Sequence, residues 1–131
     1  MNTLTRGSRL KVKLIDFGSA VIEDLTKPRP FYDVFYGTTA YASSEVLRKR
    51  AYRAGPAEIW TLGVLLSYLL TGTSPFPTEG DAIEGRIRLK AATERGLSSS
   101  VLGLMRMCLE PDPDRRATIE EVGNHRWLRK E

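Results

Sequence analysis

Glu58-Ile59-Trp60-Thr61-Leu62-Gly63-Val64-Leu65-Leu66-Ser67-Tyr68-Leu69-Leu70 is the most apolar stretch of the chain. Its large apolar residues fall at every angle around a helical wheel, so the pattern predicts a central helix, about residues 58 to 71, buried on all sides. A run of about twelve residues is too short for a bilayer, which takes roughly twenty. Gly55-Pro56 sets off its start, and Gly72 with Pro75-Phe76-Pro77 ends it.

Working toward the N-terminus, Ser43 to Arg50 reads as a short helix, with Ser43 and Ser44 available to cap its first turn. Residues 16 to 42 carry Gly18, Pro28, Pro30, Gly37 and five aromatic residues without a sustained period. That is a long loop, and loops of this length in a small domain tend to be functional. Leu10 to Ile15 alternates apolar and basic residues before running apolar, which predicts one short β strand or hairpin entering the core. Toward the C-terminus, Asp81 to Ala92 predicts one short helix with a charged face. Ser98, Ser99 or Ser100 then caps a helix through Leu109, whose apolar face is Val101, Leu102, Leu104, Met105 and Leu109. Pro111 and Pro113 stop it, and a last helix begins near Thr118 and runs to about Trp127, with Glu120 and Glu121 favourable to its dipole. The fold class is mainly α.

At 131 residues the chain makes one small domain, with enough surface to bury for one core and not for a two-lobed body. With 41% apolar and 27% charged residues it is too apolar for disorder. Cys108 has no partner in the sequence, which excludes a disulfide framework and a cysteine zinc cluster and fits a reducing, cytoplasmic or nuclear location. Met1 to Arg6 holds no apolar run of the kind a secretory signal needs. The net charge of +4 comes from short basic groups, Arg48 to Arg53, Arg86 to Lys90 and Arg126 to Lys130, each interrupted by apolar or acidic residues. Such groups read as solvated faces, so neither nucleic acid nor membrane is expected as a partner.

Asp16-Phe17-Gly18 follows the expected strand, where a carboxylate is placed to hold a hard cation such as Mg²⁺ and the glycine lets the backbone turn. Alone, the tripeptide is more often a turn signal. Its companions change the reading. Gly37-Thr38-Thr39-Ala40-Tyr41, Ser43-Ser44-Glu45, Glu58-Ile59-Trp60-Thr61-Leu62-Gly63 and Pro111-Asp112-Pro113-Asp114-Arg115-Arg116-Ala117-Thr118 follow in order. Together they resemble, over residues 12 to 128, the large (C-terminal) lobe of the eukaryotic protein kinase family. Within it, Lys13 to Ala20, Phe31 to Phe35 and Glu58 are most similar to fungal PAS-domain-linked serine/threonine kinases.

The resemblance implies an activation segment over 16–45, with Asp16 as the Mg²⁺ and ATP carboxylate and Thr38 in the loop that receives the substrate residue. It further implies a buried ion pair of Glu45 with Arg116, with Trp60 in the core. Ser43-Ser44 stands where the family has Ala-Pro, and Glu58 where it has an aspartate that accepts N–H groups from the catalytic loop. Without that loop, Glu58 is expected to act as a helix N-terminal carboxylate. No Gly-X-Gly-X-X-Gly or Val-Ala-Ile-Lys occurs, and the one histidine, His125, cannot open a catalytic loop upstream of Asp16. Residues 1–9 match nothing in the family pattern, and 10–131 read as a partial C-lobe with terminal helices over about 98–128. The expectations are therefore a serine/threonine kinase relative whose 131 residues lack the nucleotide-binding lobe, bind ATP and Mg²⁺ poorly and do not catalyse. Its partner is a protein substrate or the missing N-lobe, and the alternative is a non-catalytic, pseudokinase-like binding module.

Overall fold

The computed structural model describes residues 11–129, and its regular structure is helical. A 3₁₀ turn at Thr39–Tyr41 is followed by α1 (Ser44–Leu47), α2 (Ala54–Thr71), α3 (Glu79–Glu84), α4 (Lys90–Glu94), α5 (Ser99–Cys108) and α6 (Ile119–Gly123). Three of these begin at a side-chain cap. Thr78 Oγ1 accepts the Asp81 N–H at 3.1 Å and Ser98 Oγ accepts the Val101 N–H at 3.4 Å. Thr118 and Glu121 form a reciprocal capping box at α6, with bonds of 3.2 and 2.8 Å.

Helix α2 organises everything else. It packs along α5, and Gly63 makes the approach possible, since a Cβ there would meet Cys108 Cβ at 2.7 Å. Consecutive residues of α2 feed two cores: Ile59 packs with Leu104, Cys108, Ala117 and Val122, and Trp60 with Val64, Phe76, Ala82 and Leu109. Trp60 is wholly buried, its ring stacked on Phe76 with centroids 5.0 Å apart and planes 4° from parallel.

The structure corrects five expectations. Residues 11–15 form no strand: Val12, Leu14 and Ile15 are each over 80% exposed, and Leu10 lies outside the described residues. An extended segment becomes a strand only when a neighbour takes its N–H and C=O groups, and no such partner stands among the described residues. Helix α2 begins at Ala54, four residues before Glu58, because Pro56 falls in the first turn, where a missing N–H costs nothing. Nor is α2 buried all round, since Leu62 and Leu65 are 41% and Leu69 74% exposed. With exposed Glu58 they form one stripe at helical spacing. The helix expected over 81–92 is two, α3 and α4, divided at Gly85. Gly85 has φ +67° and a Cβ there would lie 2.0 Å from Pro111 Cγ, so the chain must turn at that point. α6 is also shorter than its pattern, giving way to turns before Trp127.

Candidate functional site

The loop from 16 to 42 lies over the N-terminal half of α2 and delivers the chain into α1. Asp16 takes a left-handed φ of 64°, and a turn follows in which the Ala20 N–H donates to the Phe17 carbonyl at 3.1 Å. Asp16 and Phe17 are exposed. Among the described residues no three His, Cys, Asp or Glu side chains gather as a metal would need.

Thr38 is exposed and precedes the 3₁₀ turn, its carbonyl accepting the Tyr41 N–H at 3.0 Å. The turn is fixed to α2 where Thr61 Oγ1 donates to the Tyr41 carbonyl at 3.2 Å. From Ala42 to Glu45 the chain is buried. Glu58 stays on the surface, in the second turn of α2, beside a cavity of about 300 Å³ whose lining includes Tyr32, Phe35, Ser43, Tyr52 and Thr61. The Ser43 hydroxyl and the Trp60 Nε1 are buried with no hydrogen-bond partner among the described residues.

Glu45 and Arg116, 71 residues apart, meet in the interior. Arg116 Nη1 donates to Oε1 at 2.8 Å and Nη2 to Oε2 at 2.7 Å, a parallel two-bond fork. The remaining donors are also used: Nε reaches the Glu110 carbonyl at 2.8 Å, Nη1 the Pro56 carbonyl at 2.7 Å and Nη2 the Pro111 carbonyl at 3.3 Å. All five guanidinium N–H groups thus have acceptors. The guanidinium carbon stands 5.1 Å from the Trp60 ring centroid, and the Ser44 hydroxyl closes the arrangement with a 2.6 Å bond to the Pro111 carbonyl. Burial pushes the Glu45 carboxyl up, but hydrogen bonds from Arg116 and its charge outweigh burial and hold it below the ordinary glutamate range. The pair therefore stays ionised and ties α1, the start of α2 and the 110–117 loop to one point.

Sequence reasoning identified both ends of that pair but not the carbonyls of Pro56, Glu110 and Pro111, because backbone acceptors leave no mark in a sequence. It also missed Tyr52. The Tyr32 N–H donates to the Tyr52 carbonyl at 2.8 Å and the Tyr52 N–H to the Tyr32 carbonyl at 2.9 Å, an antiparallel bridge. The Tyr52 hydroxyl donates to the Val34 carbonyl at 3.0 Å. An aromatic residue between Ala51 and Arg53 carries no periodic signal that would single it out.

A buried carboxylate–guanidinium fork behind the Thr38 turn, with a helix of mixed exposure beneath, is the arrangement that the resemblance to a protein kinase large lobe implies. The family model described as "Protein kinase domain" matches residues 1–128, and the chain belongs to that family. The match also takes in residues 1–9, which the motif reading left unassigned.

Among its relatives, the chain is 38% identical over 118 residues to serine/threonine-protein kinase PSK2 of Saccharomyces cerevisiae, covering 90% of this chain and 10% of that protein. It is 37% identical over 117 residues to serine/threonine-protein kinase PSK1 of the same yeast, covering 89% of this chain and 8% of that protein. The similarity to fungal PAS-domain-linked kinases thus holds, and the chain spans about a tenth of the length of these relatives. In fold it resembles the structure of the Rad53 kinase domain and SCD2 in complex with AMPPNP, with a TM-score of 0.63, 24% identity, and coverage of 71% of this chain and 39% of that one.

Proposed function

We propose that this chain supplies the substrate-facing part of a serine/threonine protein kinase domain, which moves the γ-phosphoryl group of ATP to a protein hydroxyl, and that its 131 residues alone do not perform the transfer. The observation that carries this is the saturated Glu45–Arg116 fork, which ties α1, directly after the Thr38 turn, to the start of α2 and the 110–117 loop. Transfer depends on a base, a phosphate-binding lysine and metals positioned together. The sequence offers no catalytic-loop motif, and Asp16 stands exposed in a chain whose described residues hold no cluster of three His, Cys, Asp or Glu side chains. The cavity between Ser43 and Glu58 supports the same reading, since an unpartnered buried hydroxyl beside a free carboxylate suits a polar backbone segment that would fill the space. Phosphorylation of a generic protein substrate with Mg²⁺ and ATP is expected to be absent; turnover above that of Asp16→Ala would overturn the proposal.

One observation favours a second reading, a pseudokinase-like module that binds a protein. The Leu62–Leu65–Leu69 stripe is exposed apolar surface on a stable helix and calls for a cover. A cooperative melt of a monomer at tens of micromolar would favour the module, and aggregation relieved by polar substitution on the stripe would favour the incomplete domain.

A further inference from the structure

The loop that carries the Thr38 turn is exposed through most of its length, and its internal bonds are local: Ala20 to Phe17, Lys27 to Asp24, and Thr26 to Asp24. Among the described residues, every hydrogen bond between residues 16–40 and the body beyond residue 42 is made by Tyr52, through its N–H, its carbonyl and its hydroxyl. The contact continues through side chains. The rings of Tyr32 and Tyr52 lie 5.8 Å apart at 36°, and Phe35 meets Tyr52 edge-on at 6.4 Å. Phe35 in turn lies against Gly37, where a Cβ would fall 2.8 Å from the ring. Gly37 is the residue before Thr38. In the other direction the Tyr32 hydroxyl reaches Glu23 Oε1 at 3.4 Å, extending the anchorage upstream.

We infer that Tyr52 is the positioning residue of this segment: it clamps Tyr32 and Val34 by three hydrogen bonds and, through Phe35, sets the backbone at Gly37 and thereby the placement of Thr38. The clamp stands at residue 52, between Glu45 and Arg116 in the chain, so the segment is held at its far end by an ion pair and in its middle by an uncharged phenol. Burial first, and then the charges of Glu58 and Asp33, push the Tyr52 hydroxyl above its ordinary value, so the donor keeps its proton at any pH the domain experiences. The clamp thus carries no charge of its own. The inference rests on reading 16–45 as an activation segment only for its consequence; the clamp itself is a property of this chain.

The test is residue-resolved amide exchange on the full chain, comparing the unaltered protein with Tyr52→Phe, Tyr52→Ala and, as a remote control, Thr118→Ala. Tyr52→Phe keeps ring and backbone pairing and loses one neutral hydrogen bond, so exchange at the Tyr32 N–H should quicken about fivefold with little change in melting temperature. Tyr52→Ala should quicken it by at least about tenfold and shift the Gly37 and Thr38 resonances, while Thr118→Ala should act on α6 and leave Tyr32 unmoved. Slow exchange in α2 together with an unprotected Tyr32 in the unaltered protein would overturn the clamp and leave the kinase reading standing. Equal acceleration at all sites in Tyr52→Phe would also overturn it, as a purely structural role. Unprotected amides throughout α2 would remove the fold, and with it both proposals.

Discussion

Truncating Arg116 to alanine removes five donors at once, and the structure says where each loss falls. The Glu45 carboxylate is left without its counter-charge in the interior, and the carbonyls of Pro56 and Glu110 lose the guanidinium, while that of Pro111 keeps the Ser44 hydroxyl. Breaking a buried pair from one side costs about 3–5 kcal/mol. Against a total stability of roughly 5–15 kcal/mol for a domain, that is enough to lower the melting temperature by on the order of 10 °C or to prevent folding. Glu45→Ala should cost somewhat less, because Arg116 keeps its three carbonyls. The double variant Glu45→Ala/Arg116→Ala should not recover fully, since the Pro56 and Glu110 carbonyls still lack the guanidinium, at about 1 kcal/mol each. It should nonetheless be less destabilised than the sum of the single variants, by about 2 kcal/mol or more in a double-mutant cycle.

The same pair sets an acid limit. Glu45 has its folded pKa below its unfolded one, so its contribution is complete above the unfolded value, about 4.3 for glutamate, and declines as pH falls through the lower folded value. Urea titrations at neutral pH and near pH 3 supply the measurements. Single variants within about 1 kcal/mol of the unaltered protein, or simple additivity in the cycle, would refute the claim that the fork holds the segment.

Gly85→Ala forces a methyl group into Pro111 at a positive φ, and should destabilise by about 2 kcal/mol or more in the same titration. Thr118→Ala removes half of the α6 capping box and should cost about 1 kcal/mol, measured by thermal melting. Cys108 is buried and its thiol is pushed up to about 11, chiefly by burial, so the folded chain should react with a thiol reagent at pH 8 only as fast as it unfolds. Rapid stoichiometric labelling without denaturant would place α5 wrongly.

The order of helices was legible because it rests on side-chain chemistry, with caps near Ser98 and Thr118 and apolar runs at 59–70 and 101–109, and the Glu45–Arg116 pair was legible only through the resemblance of its two motifs to the kinase family. What was not legible depends on what lies alongside. The run at 11–15 has a strand's alternation and still forms none, since strand formation belongs to a pair of segments and the described residues offer it no partner. Glu58 was taken for a helix start because the apolar pattern begins there, while the hydrogen-bonded helix begins at Ala54, where residues are small or glycine and proline. The Tyr52 clamp had no signature because two of its three bonds are made by backbone.

The two faces of α2 explain why its composition misled and what the chain is built to do. Ile59, Trp60, Gly63, Val64 and Ser67 are buried by the chain's own helices, whereas Leu62, Leu65 and Leu69 meet solvent. A helix needs only an apolar face of about 100° to be held in a domain of this kind; a full apolar circumference is expected where protein covers every side. The surplus leucines are therefore unexplained by the fold of residues 11–129 and become intelligible if further protein packs on α2 beside Glu58. Replacing Leu62 and Leu69 with glutamine tests this directly, because neither side chain supports the two cores that the chain closes by itself. The substitutions should leave the urea midpoint within about 0.5 kcal/mol of stability, as surface changes do, while reducing self-association in sedimentation. A large loss of stability would mean that the stripe is already covered in the folded chain and that α2 has no open face to offer.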